Sequence, residues 1–191
     1  MPADSPHTQL APSMWIARFA HLVPRGARVL DVAAGSGRHA RFFAARGCRV
    51  LAVDRDAAAL AAAHVPGVDA RTVDLESGEW PLADQRFDAI VVVNYLHRPL
   101  FPHLLAALAP DGTLLYETFA DGNEAYGRPQ NPAFLLMPGE LSTLARERLT
   151  VVAFEQGKVD EHGRVAVVQR LAAVGTGRAW PPLLTLSLIH I

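Results

Sequence analysis

The stretch VLDVAAGSGRHARFFA, residues 29–44, carries an apolar, β-branched run through an aspartate into a small-residue turn and then into a helical pattern. A continuous apolar run suits a strand covered on both faces, as in a parallel sheet, and a glycine-spaced turn delivers the chain from that strand into its crossover helix. The pattern recurs. CRVLAVD precedes an alanine-rich helix over 57–63, VDARTVD is a third strand, and FDAIVVVN is a fourth, followed by a helix around FPHLLAALA. PDGTLLYETF supplies a turn and a fifth strand, and residues 138–147 a helix. LTVVAFEQG and RVAVVQRLAAV, joined by the polar KVDEHG, form an antiparallel pair. Ahead of them all, Met14, Ile16, Phe19 and Leu22 recur at helical spacing over residues 11–22, with Ser13 or Pro12 as the start. Strands alternating with helices predict right-handed crossovers and an open α/β sheet, with the hairpin on its far edge.

With 191 residues, half of them hydrophobic, the chain builds one core rather than two, and a single domain over 1–175 with a tail over 176–191 is expected. The ending LLTLSLIHI has two readings: a final docked strand, or, in LSLIHI, translated adaptor sequence foreign to the protein. A net charge of −1 offers no positive field to a polyanion, so nucleic acid is disfavoured as the main partner. Cys48 is the only cysteine, which excludes an internal disulfide and a cysteine-built zinc cluster and suits a reducing cytoplasm. MPADSPHTQL lacks the basic start and apolar centre of a secretory signal, and no apolar run reaches membrane-spanning length, so no membrane association is expected. No bound metal is expected either, and oligomeric state is left open.

GSGRHA, residues 35–40, satisfies the dinucleotide fingerprint G-x-G-x-x-G/A, and Asp54 closes the next strand. A nicotinamide-dependent reductase is therefore one reading of the turn. Three acids point elsewhere. A carboxylate at Asp31, immediately before the turn, would repel phosphate from the helix N-terminus but would favour an ammonium or sulfonium. Asp54, ending the second strand, suits two ribose hydroxyls. Asp74, ending the third, suits an adenine amino group, with Leu75 covering the ring. Three acids on successive strand ends line the crevice where open α/β sheets bind ligands. A cationic amino acid, a ribose and an adenine in that order describe S-adenosylmethionine.

VLDVAAGSG, VLAVDRD, VDLE and FDAIVVVNYLHRPL together resemble the successive motifs of the class I S-adenosylmethionine-dependent methyltransferases over residues 28–120, and the general layout is most similar to the small bacterial tellurite-resistance type. The resemblance implies a Rossmann-like α/β fold: a mostly parallel seven-stranded sheet of order 3-2-1-4-5-7-6 with a C-terminal antiparallel hairpin and helices on both faces. It places Asp31, Ala33, Gly35 and Gly37 at the methionine-binding turn, Asp54 with Arg55 at the ribose, Asp74 and Leu75 at the adenine, and Asn94 beside the methionine amine. Ala33 departs from the family's D/E-x-G-x-G-x-G, and it keeps the turn if its φ is negative. The implied activity is transfer of a methyl group to a small-molecule acceptor. A non-catalytic module that keeps the cofactor as a structural ligand has the same fold.

Displacement at a sulfonium releases a neutral leaving group, so alignment and exclusion of water can carry much of the catalysis. An acceptor that must lose a proton needs a base, and His97, after the fourth strand, is the candidate. Tyr95, Arg98 and Glu117 are expected at the acceptor, Arg98 holding an anionic one, although Glu117 suits a core arginine equally well. The glycine- and proline-rich loop 120–141 is expected as a lid that turns Asn123, Glu124, Tyr126 and Arg128 toward substrate. Trp15 either roofs the pocket or joins the core. NYLH lacks the two prolines and aromatic of amino-directed DNA methyltransferases, and Cys48 starts the second strand, at the wrong end of the sheet for a nucleophile.

Overall fold

The computed structural model describes residues 11–161 and 163–182; the leader MPADSPHTQL and the ending LLTLSLIHI, with the readings attached to them, lie outside the described residues. Seven strands, β1 Arg28–Val32, β2 Arg49–Asp54, β3 Val68–Thr72, β4 Phe87–Val93, β5 Leu108–Phe119, β6 Leu149–Glu161 and β7 Arg164–Gly175, form one sheet of order β3-β2-β1-β4-β5-β7-β6. The β2–β3, β1–β2, β1–β4 and β4–β5 pairs are parallel, while β7 runs antiparallel to both β5 and β6. This is the mixed Rossmann-like sheet expected, with its reversed hairpin.

Side chains alternate across each strand and divide the core in two. On one face Val29, Ala52, Val91 and Leu115 pack against α1 (Met14–Phe19), α2 (Arg38–Ala45) and α3 (Ala57–Leu60) through Ile16, Phe19, Phe43 and Leu60. On the other, Leu30, Val32, Ile90, Val92 and Leu114 meet α4 (Phe101–Ala107) and α5 (Glu140–Arg146) through Phe101, Leu104, Leu141 and Ala145. Both faces of the central strands are covered, which is why their sequences are apolar without alternation.

All the α-helices but α4 begin at a short polar side chain or a left-handed glycine. The Ser13 hydroxyl accepts from the backbone N–H groups of Trp15 and Ile16, capping α1, and Asp56 caps α3 through Ala58 and Ala59. Gly47, at φ +84°, closes the end of α2. Trp15 belongs to the core: it is buried, and its Nε1 donates to the Leu171 carbonyl at 3.2 Å, so it is no pocket roof.

Two expectations change. Residues 158–161, read as part of the hairpin connection, continue β6, with Lys158 opposite Val167 and Glu161 opposite Arg164. The ladder extends past the covered part of the sheet, where backbone pairing tolerates polar side chains. Likewise Pro110–Gly112, read as a turn, falls within β5, whose register to β4 slips between Phe87 and Ala89.

Candidate active site

The carboxyl ends of β1, β2 and β4, with the segment after β3, converge on a cleft of about 380 Å³ lined by Ala33, Asp54, Arg55, Val73, Asp74, Leu75, Glu76, Asn94, Tyr95, Leu96 and Phe134. Parallel strands bring this about: residues far apart in the sequence end at one sheet edge. Of the residues singled out in the sequence, Ala33, Asp54, Arg55, Asp74, Leu75, Asn94 and Tyr95 border this cleft, and Val73, Glu76, Leu96 and Phe134 join them.

The turn after β1 is a chain of left-handed residues. Ala33, Gly35 and Gly37 have φ of +53°, +53° and +73°, so the expectation of a negative φ at Ala33 is overturned. An alanine here carries the steric cost that glycine avoids, and such strain survives only where its surroundings fix the turn. The fixing bond comes from the next strand: Asp54 Oδ2 accepts the Gly35 N–H at 2.7 Å, while Oδ1 accepts from Asp56 at 2.8 Å. Nothing lies within 4 Å of where a Gly35 Cβ would stand, so that backbone borders open space. Gly37 differs, since a Cβ there would meet the Ala63 Cβ at 2.4 Å. It lets α2 pack against the turn that follows α3.

Asp31 does not open onto the cleft. It is 1% exposed, and its Oδ2 accepts the Ala40 N–H at 2.9 Å inside the first turn of α2. Burial pushes the carboxyl up to about 7, against the lowering pull of the Ala40 hydrogen bond and the Arg38 charge. Asp74 sits instead in solvent, past the end of β3, and its bond from the Glu76 N–H holds its carboxyl below the usual range. Asn94 adopts φ +57° and donates its backbone N–H to the Glu117 carbonyl at 2.9 Å, joining β4 to β5 just below the cleft. Tyr95 is half-buried, its phenol pushed above the usual tyrosine range first by burial and then by the Glu76 charge. The Tyr116 hydroxyl donates to the Tyr95 carbonyl at 2.9 Å and steadies that wall. His97 is partly buried one residue beyond Leu96, and its ring makes no hydrogen bond to another described residue.

Several residues expected at the acceptor are occupied elsewhere. The Arg98 guanidinium donates to both carboxylate oxygens of Glu140, at 2.6 and 2.9 Å, and to the carbonyls of Ala133 and Leu135, both at 2.8 Å. It is an internal anchor for the loop, not an anion holder. Glu117 is buried, pairs with Arg170 at 2.9 Å and accepts from the Ser13 hydroxyl at 2.9 Å, which realises the core-arginine alternative. In the loop, Asn123 is buried with its side chain bonded to Pro129 and Val167, and Glu124 accepts from the Gly122 N–H. Tyr126 and Arg128 are exposed, and neither borders the cleft. The loop's contribution is Phe134, which no local motif marks.

No spacing in the sequence marks the environment of His39. Its Nε2 accepts the Ser13 N–H at 3.2 Å, which puts the ring proton on Nδ1, and burial holds it down to about 3, with Arg38 adding to the effect. With Glu117 and Arg170 it makes a buried polar seam between α1, α2 and the sheet. No group of three metal-ligating side chains occurs among the described residues, and none of the helices there is long and apolar enough to cross a membrane.

Known proteins share both the core motif and the fold. Residues 29–112 match the family model described as a methyltransferase domain. No curated protein matches the chain in sequence. Among solved structures, TehB from Haemophilus influenzae superposes with a TM-score of 0.69 at 15% identity over 84% of this chain and 61% of its own. A SAM-dependent methyltransferase from Methanosarcina mazei gives 0.66 at 16% identity, covering 87% of this chain and 99% of its own. The 1,6-didemethyltoxoflavin-N1-methyltransferase of Burkholderia thailandensis, solved with 1,6-didemethyltoxoflavin and S-adenosylhomocysteine, gives 0.61 at 26% identity, covering 84% of this chain and 75% of its own. This chain spans less than two thirds of the Haemophilus protein. The match over residues 29–112 and the shared seven-stranded fold make this chain similar to S-adenosylmethionine-dependent methyltransferases in its core motif and in its architecture.

Proposed function

We propose that the chain transfers a methyl group from S-adenosylmethionine to a small, uncharged or basic acceptor by in-line displacement. The observation that carries the cofactor half of this reading is the convergence of Ala33, Asp54, Asp74, Leu75 and Asn94 on one cleft at the carboxyl edge of the sheet. The residues present fit the group. Gly35 leaves its backbone facing open space, Asp54 retains lone pairs beyond those used by Gly35 and Asp56, and Asp74 stands in solvent beside the apolar Leu75. When bound, S-adenosylmethionine supplies an electrophilic methyl on a sulfonium that departs as a neutral thioether.

The side chains have separable tasks in this reading. Asp54 orients the ribose hydroxyls, with Arg55 beside it, and holds the turn through Gly35. Leu75 covers the adenine and Asp74 receives its amino group. The turn from Ala33 to Gly37 and the backbone at Asn94 border the methionine portion. Asp31 adds negative charge beneath that turn without touching the cleft, so a cation seated above favours its ionised form. Tyr95, Leu96 and Phe134 exclude water, and His97 takes a proton from acceptors that must lose one.

The charge of the lining argues for the acceptor class. Asp54, Asp74 and Glu76 face the cleft with Arg55 as the lining cation, while Arg98 is committed to Glu140. Arg55 stands there against three carboxylates, so an oxyanion meets a wall of net negative charge, whereas a neutral or basic nitrogen or a thiol meets no repulsion. The solved Burkholderia neighbour is a 1,6-didemethyltoxoflavin-N1-methyltransferase, in keeping with this choice.

Two measurements test the reading. S-adenosylhomocysteine is expected to raise the melting temperature, with NADH leaving it unchanged; a shift with NADH alone would replace the methyltransferase by a reductase. Labelled methyl transfer into heterocyclic amines, aliphatic amines, thiols and metalloid oxyanions is expected in the first three classes. Transfer confined to oxyanions would overturn the acceptor assignment.

A further inference from the structure

The loop between β5 and α5 meets the cleft through one side chain, Phe134, and Phe134 is 48% exposed with little packing of its own to hold it. What fixes it is the backbone around it. The carbonyls of its two neighbours, Ala133 and Leu135, both accept from Arg98, at 2.8 Å each. The same guanidinium is closed on its other side by Glu140, at the first position of α5, whose Oε2 also accepts the Met137 N–H at 2.8 Å. The planar fork of arginine makes four hydrogen bonds here, to two carbonyls and to both oxygens of one carboxylate, which the three donors of a lysine ammonium cannot match. C-terminal to this clamp, Leu136 is buried and joined to the sheet end by the Leu136 N–H to Phe119 carbonyl and Asp121 N–H to Leu136 carbonyl bonds, at 3.1 and 3.0 Å.

Arg98 itself follows β4 and opens the helical turn that leads into α4, three residues after Tyr95 and two after Leu96, which form the opposite wall. Its backbone therefore moves with one wall and its guanidinium holds the other. We infer that Arg98 is a positioning residue that sets the width of the ligand cleft by fixing Phe134 against the β4 wall, with Glu140 as its counter-clamp. This inference rests on the methyltransferase reading of the same cleft. Arg98 touches neither ligand nor reacting atoms and acts through Phe134. The clamp also explains why an arginine at the mouth of the site is unavailable to substrate: each of its ends is committed to the loop.

The test is a double-substitution cycle read by S-adenosylhomocysteine binding in the full chain, with hydrogen exchange of residues 131–137 measured alongside. Arg98→Ala is expected to speed exchange at these amides and to weaken binding on the order of tenfold. Phe134→Ala is expected to weaken binding similarly while the amides stay protected. In the Phe134→Ala background, Arg98→Ala should then add almost nothing, because its route to the cleft is gone. Arg98→Lys should fall near Arg98→Ala, since it keeps the charge and loses the fork. Equal melting temperatures of Arg98→Ala and the parent are not required, because a general loss of stability would weaken binding in both backgrounds alike. Effects that multiply independently, or an Arg98→Ala variant with faster exchange and unchanged binding, overturn the inference while the methyltransferase reading stands. A parent protein that does not bind S-adenosylhomocysteine overturns both.

Discussion

The Oδ2 atom of Asp54 accepts the Gly35 backbone N–H at 2.7 Å, so the acid at the end of β2 holds the turn that follows β1. A residue read from the sequence as a ribose contact is therefore also part of the scaffold that shapes the methionine end of the cleft. Asp54→Ala removes both functions. S-adenosylhomocysteine affinity is expected to fall by about 1.5–3 kcal/mol, as for loss of charge-assisted hydrogen bonds. Asp54→Asn, which keeps an acceptor for Gly35, should lose less. Calorimetric titration separates the two, and an unchanged dissociation constant in Asp54→Ala removes the residue from the site.

Asp31 makes stability depend on pH. Its carboxyl is raised by burial from 3.8 in its ordinary state to about 7 in the fold, so the folded chain holds the proton more tightly than the unfolded one. That contribution is complete below about pH 4 and is lost as pH rises through about 7. Asp31→Asn, whose side-chain oxygen still accepts from Ala40, is expected to raise the melting temperature of the ligand-free protein at pH 8 and to leave it nearly unchanged at pH 4. Thermal melts of both proteins across this range check the sign.

The left-handed turn offers a matched pair of glycine substitutions. Ala33, at φ +53°, should be relieved by Ala33→Gly, with a gain in stability of about 1 kcal/mol. Gly37→Ala, at φ +73° and with its new Cβ 2.4 Å from that of Ala63, should cost about 2 kcal/mol or more. Denaturant unfolding of the two variants should move in opposite directions.

Glu117 and Arg170 pair in the buried seam, with Ser13 on the same carboxylate oxygen. Arg170→Met removes one partner of a buried ion pair and should destabilise by about 3–5 kcal/mol. Glu117→Gln together with Arg170→Met should recover part of that loss. If the double variant is no more stable than Arg170→Met, the pairing contributes little.

The sequence by itself determined the sheet. β1, β2 and β4 are legible as continuous apolar runs because both of their faces are covered, and Asp31 and Asp54 stand out as the acids in or at the end of the first two runs. The seven-stranded order came with the family resemblance carried by those strand ends. Where coverage stops, the pattern stops informing: residues 158–161 are polar and still extend β6, because hydrogen bonds to β7 hold them without a core.

Only the tertiary structure decided what the side chains do. Asp31 and Asp54 look alike in the sequence, yet burial beneath α2 closes the first off and the end of β2 opens the second to the cleft. Arg98 reads as a substrate anchor until Glu140, Ala133 and Leu135 are brought to it from some forty residues away, and Phe134 joins the site by that same contact. Ala33 reads as a harmless replacement until its backbone is seen at positive φ. Local pattern records which faces of a strand are covered, since burial acts on every residue along it. The partner of a single polar side chain depends on how distant loops return to the sheet, and no spacing in the chain encodes that.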